Sequence, residues 1–482
     1  METNKMDQTD LCFTSATQLA RLIQGREISP VELMEAVFSR IEHLQPQINA
    51  FSTVCTDKAL EASRKAESEI VRGKSVGPLH GIPFSVKDLL WTEGVRTTFG
   101  SYIFENYLPD EDAPCVQRLK EAGGILIGKT TTPEFGHKAI TDSPLFSITR
   151  NPWNLDRTPG GSSGGAAALV AAGVGPLAIG TDGGGSVRIP ASCSGIVGLK
   201  PTLGRIPHPQ SLDVFGTLAH VGPMTRTVAD AALMFEVMAG PEVKDPYSYG
   251  LPKETYRSSV TGKVRESLKG WKIAWSATLG NTEVDNEVLK LTEAAVQVFA
   301  EFGCELEETR PDFDLPEEHY LILFHSGLAA RLAPYLERFR DKIDPSLLDA
   351  IERGSKYSAV DLQRASYLRT QLFQTVQQFF KKFDLLITPT LSAPALPITH
   401  NALEPIAVNG KIAGSMRAAW YPYMYPFNMA GNPAISIPCG WTGENLPVGL
   451  QIVGPWLAEG SILQAAAAFE LAVPWASKRP PL

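Results

Sequence analysis

The stretch TPGGSSGGAAALVAAGVGPLAIGTDGGGSVRIP, residues 158–190, decides how the rest of the chain is organised. It carries no charge from Thr158 to Thr181 and holds two Gly/Ser clusters, residues 160–165 and 183–186, joined by an Ala-rich segment. A glycine inside regular structure costs roughly 0.5–1 kcal/mol relative to alanine, so two clusters imply a main chain that closely approaches something. Residues 166–172 read as a helix and 176–181 as an apolar strand ending at Asp182. The run Gly183-Gly184-Gly185-Ser186 therefore starts where a strand stops. Consecutive small N–H donors in that position can line one concavity suited to an oxyanion, with the Ser186 hydroxyl beside them. On pattern alone the same run is also readable as a glycine turn closed by a serine.

Working outward, HGIPFSVKDLL at 80–90 reads as a strand with Ile82, Phe84 and Val86 on one side and Pro83, Ser85 and Lys87 on the other. Helices on both faces of the sheet would bury Lys87, and it is the one lysine whose strand position predicts this. A buried lysine can lose its proton and act as a base; the alternative is a solvated lysine at a strand end. Upstream, residues 15–47 read as two helices broken at Gly25 and Ser29-Pro30, with Ser29, Pro30 and Glu32 as a start signal. A charged, exposed helix is expected at 56–72.

Downstream, a helix at 114–122 and a strand at 125–129 lead into an irregular run to Pro159. Residues 225–238 read as an amphipathic helix, 241–268 as a loop, and 272–275 as a strand. Helices follow at 285–302 and 359–382, strands at 384–388, 434–438 and 448–453, and a closing helix at 461–471. Strands and helices alternate throughout, which points to one α/β domain. Within it we distinguish an N-terminal helical layer at about 15–75, a central core at about 76–240, and a C-terminal sheet and substrate-lining part at about 269–482.

The 482 residues, 44% of them hydrophobic and 20% charged, suit a folded core of ordinary composition. A net charge of -8 and the lack of any Lys/Arg-rich run argue against a nucleic-acid partner. The opening METNKMDQTD has no apolar centre and reads as no secretory signal. The uncharged segment 158–181 is mostly Ala and Gly with Pro176 inside, which is poor material for a membrane span. Six cysteines, Cys12, Cys55, Cys115, Cys193, Cys304 and Cys439, lack CxxC spacing, as expected of reduced thiols in the cytoplasm.

Other chemistries fit less well. Gly160-Gly161-Ser162-Ser163-Gly164 matches a G-x-S-x-G elbow, but the residues leading into it are polar and proline-broken. No GK[ST] follows either cluster, which excludes a P-loop. Cys193 in ASCSG, with Glu134 as an acid, would suit a Cys/Lys/Glu amidase of the nitrilase type, yet its flanks equally describe a buried turn. His80, His208 and His220 read as loop or core histidines. No paired metal-ligand spacing such as HExxH occurs, so neither a metal nor another cofactor is expected.

Taken in order, GGSSGGAAALVAAG (160–173), GTDGGGSVRIPAS (180–192) and GLKPT (198–202) resemble the amidase signature family. The likeness extends to HGIPFSVKD, NPWNLDRTPGG, GPMTRTVADAAL, FDLLITPT and FNMAGNPAISIPCG, nearly the whole chain. The resemblance implies an α/β fold with a large twisted mixed sheet covered by helices on both faces. It also implies a Ser-cisSer-Lys triad: Ser186 as nucleophile, Ser162 after a cis peptide bond as relay, and Lys87 as base. Gly183, Gly184, Gly185 and Ser186 would supply the oxyanion hole, with Ser163, Thr181, Asp182 and Arg188 in support. Many relatives carry a larger residue where this chain has Gly183, which enlarges the space beside the nucleophile.

The implied reaction is hydrolysis of a non-peptide carboxylic amide to an acid and ammonia or an amine. Small or aromatic amides are the expected substrates. Aryl acylamidase, carbamate and nylon-oligomer hydrolase activities occur in the same family, which also includes one component of the glutamyl-tRNA amidotransferase. For substrate contacts we expect Gly136, His137, Gly161, Cys193, Tyr423 and Tyr425, the last two within the aromatic run 420–427. The expected partners are the small-molecule substrate and at most a second copy of the chain, without nucleic acid or membrane.

Overall fold

The alternation in HGIPFSVK gives the strand it predicts: Pro83–Lys87 is extended and buried along its whole length. Phe84 and Val86 join the largest apolar cluster, while the intervening Ser85 and Lys87 are sealed on the opposite face. The computed structural model describes residues 7–280, 283–313 and 317–482. Residues 1–6, part of the segment read as no secretory signal, lie outside them.

In chain order the strands of the main sheet are β1 (Phe51–Val54), β2 (Pro83–Lys87), β3 (Ile125–Thr130), β4 (Leu177–Asp182), β5 (Val197–Lys200), β6 (His220–Thr225), β7 (Lys272–Trp275), β8 (Glu305–Glu308), β9 (Leu385–Pro389), β10 (Ala434–Trp441) and β11 (Pro447–Val453). They form one 11-stranded sheet in the order β1-β3-β2-β4-β6-β5-β10-β11-β9-β7-β8. The sheet is mixed. β2 runs parallel to β3 and β4, and β7 parallel to β8 and β9. The ladders from β4 through β6, β5, β10 and β11 to β9 are antiparallel.

Helices cover both faces. Leu177, Ile179, Leu199, Val221, Ile435 and Ile437 turn to one side and pack with residues of the helices Val228–Met238, Asn286–Glu301 and Glu459–Ala472. Ala178 and Met224 turn to the other and pack with Gly164–Ala171 and with Ala191 of Arg188–Ser194. The small residues on this second side permit tight packing. A methyl group on Gly198 would stand 2.7 Å from the Ala191 methyl, too close for real atoms.

Four strands of the main sheet have no counterpart among the predicted elements. β6 is masked in the sequence because HVGPMT contains Gly222 and Pro223, residues that usually argue against a strand. Thr225 ends that strand, and Thr227 caps the next helix by accepting from the Asp230 N–H. β8, of sequence ELEE, lies at the sheet edge, where charged side chains stay in water. β1 and β5 are four residues each, too short for a periodic signal. The helices Glu317–Leu332 and Pro345–Gly354 are likewise absent from the predicted elements, and the first of them helps to wall the site.

Candidate active site

Lys87 ends β2, and Thr181 and Asp182 end the parallel neighbour β4, so the three meet at the carboxyl ends of adjacent strands. Such strand ends are the usual place for a binding site in an α/β sheet. The Lys87 Nζ lies 2.7 Å from Ser162 Oγ, 2.9 Å from Ser163 Oγ and 2.9 Å from Thr181 Oγ1, with the Thr181 carbonyl at 3.4 Å. No carboxylate touches it. Burial, with Asp182 only partly opposing, pushes its pKa well below the ordinary lysine value.

Two further lysines are fully buried, contrary to the expectation that Lys87 stands alone. Lys129 on β3 lies 3.5 Å from Asp88 and donates to the Leu90 carbonyl and Thr97 hydroxyl; burial lowers its pKa to about 8. Lys200 at the end of β5 donates to the carbonyls of Pro201 and Asn432. Strand position therefore does not single Lys87 out. Its partners do, because they are hydroxyl groups that can carry a proton onward.

The first glycine cluster positions those hydroxyls. The peptide bond between Gly161 and Ser162 is cis. Ser162 leads into the helix Gly164–Ala171, and the Ser163 N–H donates to the Ser186 carbonyl at 3.2 Å, tying the two clusters together. Ser163 Oγ also donates to the Thr181 carbonyl, 3.2 Å away, and accepts from the Thr181 N–H.

The second cluster is shaped by a buried ion pair. Arg188 Nε lies 2.9 Å from Asp182 Oδ2 and its Nη2 3.0 Å from Oδ1. The same carboxylate accepts from the N–H groups of Gly185, at 2.7 Å, and Val187, at 3.2 Å, and from Asn428 Nδ2. Arg188 is held in turn by Gln451 Oε1 and Asn428 Oδ1, each at 2.7 Å. This corrects the expected oxyanion hole: the Gly185 N–H is committed to Asp182. The N–H groups of Gly183, Gly184 and Ser186 have no acceptor among the described residues, and these three residues line the cleft while Gly185 does not.

A small cleft is formed there by Gly136, His137, Lys138 and Ala139 on one side and by the Gly183-Gly184 turn, Ser186 and Ile189 on another. Tyr320, Phe324, Arg417 and Tyr421 complete it. Gly136, with φ +68°, packs so closely on Ser162 that a methyl group there would stand 2.9 Å from Ser162 Oγ. His137 is fixed by hydrogen bonds to the Glu134 carbonyl and Ser346 Oγ, and Lys138 by Asp142 and Asp344, each 2.6 Å away.

Four expected substrate contacts lie elsewhere. Tyr423 is buried and donates its hydroxyl hydrogen to the Ala277 carbonyl, while Tyr425 packs behind Tyr320. Gly161 is pressed against Ala139 and Ile140. Cys193 sits beneath Gly160, fully enclosed, and burial pushes its thiol pKa far up, which removes it as a nucleophile. Glu134, the acid paired with it above, is buried and accepts from the Asp344 N–H. Of the aromatic run, only Tyr421 reaches the cleft. Tyr320, Phe324 and Arg417 have no sequence signal, since they come from segments far from both glycine clusters. Among the described residues no group of three or more His, Cys, Asp or Glu side chains is placed to hold a metal.

The chain is similar to known proteins over nearly its whole length. The amidase family model matches residues 32–463. An acylamidase of Rhodococcus erythropolis is 39% identical, with 98% of each chain covered. A glutamyl-tRNA(Gln) amidotransferase component of Moorella thermoacetica is 36% identical, covering 98% of this chain and 99% of its own. Among solved structures, that of a bacterial aryl acylamidase of the amidase signature family superposes with a TM-score of 0.90 at 30% identity, covering 96% of this chain and 97% of the other. The chain belongs to the amidase family, and it is an amide-hydrolysing enzyme. None of its described helices is long and apolar enough to cross a membrane.

Proposed function

We propose that the chain is a stand-alone amidase for small or aromatic linear amides, with Ser186 as nucleophile, Ser162 as relay and Lys87 as base. One observation carries this reading: the buried Lys87 Nζ touches three hydroxyls and no carboxylate. A neutral amine has two hydrogens and one lone pair. The Ser163 hydroxyl hydrogen is already given to the Thr181 carbonyl, so Ser163 Oγ accepts from Lys87. Thr181 Oγ1 takes the second hydrogen. The lone pair is then left for the Ser162 hydroxyl, at 2.7 Å.

Ser162 passes its proton to Lys87 as it receives one from Ser186, and the Ser186 oxygen attacks the amide carbon. The oxyanion is received by the N–H groups of Gly183, Gly184 and Ser186. Reversal of the proton path protonates the leaving nitrogen. The acyl group stays on Ser186 until water, activated by the same path, releases the acid. Tyr320, Phe324, Tyr421 and Ile189 give the cleft its aromatic and apolar walls. The six free cysteines support a cytoplasmic location.

Incubating the purified chain with acetanilide and simple aliphatic amides tests the proposal. Wild type should release acid and amine unaided, and Ser186→Ala should abolish this while keeping the circular dichroism spectrum. Full activity in Ser186→Ala would overturn the assignment. The likeness to the amidotransferase component favours a second reading, in which activity needs partner proteins and tRNA. Activity of the isolated chain rejects it.

A further inference from the structure

Arg417 stands in the helix Met416–Ala419 and lines the cleft beside the Gly183-Gly184 turn, with Nη1 3.3 Å from where a Gly184 methyl would lie. Its guanidinium lies over Tyr320, 4.6 Å from the ring centre, and near Tyr421 and Phe324 at 5.3 and 5.8 Å. The guanidinium also hydrogen-bonds the Tyr320 hydroxyl, and its remaining N–H donors are left for a ligand.

The charge balance around the cleft is one-sided. Its two strong cations are Lys138 and Arg417, and no Asp or Glu lines it. Lys138 is neutralised by Asp142 and Asp344. Arg417 forms no ion pair within 4 Å among the described residues, Glu317 being a carboxylate that acts on it from further off, whereas Arg188 is matched by Asp182 and Arg226 by four backbone carbonyls. A half-buried guanidinium at the mouth of a site, stacked rather than paired, is a ready receptor for a carboxylate.

We propose that Arg417 is a specificity-determining residue and that the preferred substrates are amides carrying a carboxylate a few atoms from the scissile carbonyl on an apolar or aromatic body. The carboxylate pairs with the Arg417 edge while Tyr320, Tyr421 and Phe324 hold the body. With no acidic residue on the cleft wall and Glu317 set behind Arg417, no carboxylate in the lining pairs with an ammonium group, so glutaramate is favoured over glutamine. This inference rests on the amidase reading for the position of the reacting carbonyl.

Binding and turnover are measured separately so that the two readings can fail separately. Dissociation constants are measured by calorimetry on Ser186→Ala protein for two matched pairs, 4-acetamidobenzoate against acetanilide and glutaramate against pentanamide. At least one carboxylate should bind tenfold or more tighter than its neutral partner. Adding Arg417→Met, which keeps the stacking bulk, should weaken that carboxylate tenfold more than the neutral amide. Equal binding within both pairs, or equal weakening of both members, overturns the proposal. Turnover of neutral amides by wild type without a carboxylate preference defeats this inference alone, whereas a carboxylate preference without any turnover leaves the Arg417 site standing and defeats the amidase reading.

Discussion

Arg188 grips Asp182 at two points, Nε to Oδ2 at 2.9 Å and Nη2 to Oδ1 at 3.0 Å, with both side chains wholly buried. The carboxylate so held takes the Gly185 and Val187 N–H groups and bends the chain that presents Ser186. Charge here sets backbone shape, and backbone shape sets where Ser186, the proposed nucleophile, points.

Removing one partner of such a pair leaves an unmatched buried charge. Arg188→Leu should therefore destabilise the protein by about 3–5 kcal/mol, read from urea unfolding. Arg188→Lys should also lose activity, because a single ammonium cannot serve Asp182, Gln451 and Asn428 in one plane. A loss under about 1 kcal/mol in Arg188→Leu would remove the ion pair from its structural role.

Acid should reveal the same pair. Burial alone would raise the Asp182 pKa, but the Arg188 guanidinium and its hydrogen bonds outweigh burial and hold the carboxyl far below the usual range. Its stabilisation is then complete above the unfolded value of about 3.9 and drains away as pH falls below it towards the folded value. The stability gap between wild type and Asp182→Asn should shrink as pH is lowered from 7 to 3. A gap that is constant or widens would contradict this sign.

For Lys87 the consequence is kinetic. In the proposed mechanism its neutral form is the base, and burial lowers the pH at which that form appears. The value of kcat/KM should rise with pH and level off well below the ordinary lysine value of about 10.4. Lys87→Ala should cost about 10²–10⁴-fold in kcat and flatten that rise. An acid limb that persists in Lys87→Ala would assign the titration to another group.

Neighbouring glycines should respond oppositely to a side chain. At Gly183 a methyl group meets open space, so Gly183→Thr should leave stability within about 0.5 kcal/mol while reducing kcat/KM for bulky amides more than for small ones. At Gly184 a methyl group collides with the Tyr320 hydroxyl, and Gly184→Ala should cost about 1–3 kcal/mol. Parallel thermal melts and a graded substrate series would show the contrast, and equal behaviour would refute it.

Much of this is legible in the chain. The two glycine clusters, the strand that precedes the second and the alternation that turns Lys87 away from Phe84 and Val86 are local patterns, fixed by backbone sterics and a two-residue period. Strand β6 is hidden by Gly222 and Pro223, whose local preference is overridden by pairing on both sides, with β4 and β5. The aromatic run is conspicuous and so points Tyr423 and Tyr425 at the substrate, yet a run has no direction until it is packed. Only Tyr421 turns into the cleft.

By itself, then, the sequence determined the strand-and-glycine scaffold, because its period and small residues are written locally, whereas the roles proposed for Lys87, Ser162 and Ser186 come from the resemblance to the amidase signature family. Three matters were left to tertiary structure: which buried lysine faces hydroxyls, which N–H groups stay free beside Ser186, and which cation waits unpaired in the cleft. Lys87 differs from Lys129 and Lys200 only in what surrounds it, and Arg417 reaches Gly184 across 233 residues of chain. Partners so distant in sequence are chosen by packing, and no period or motif records them.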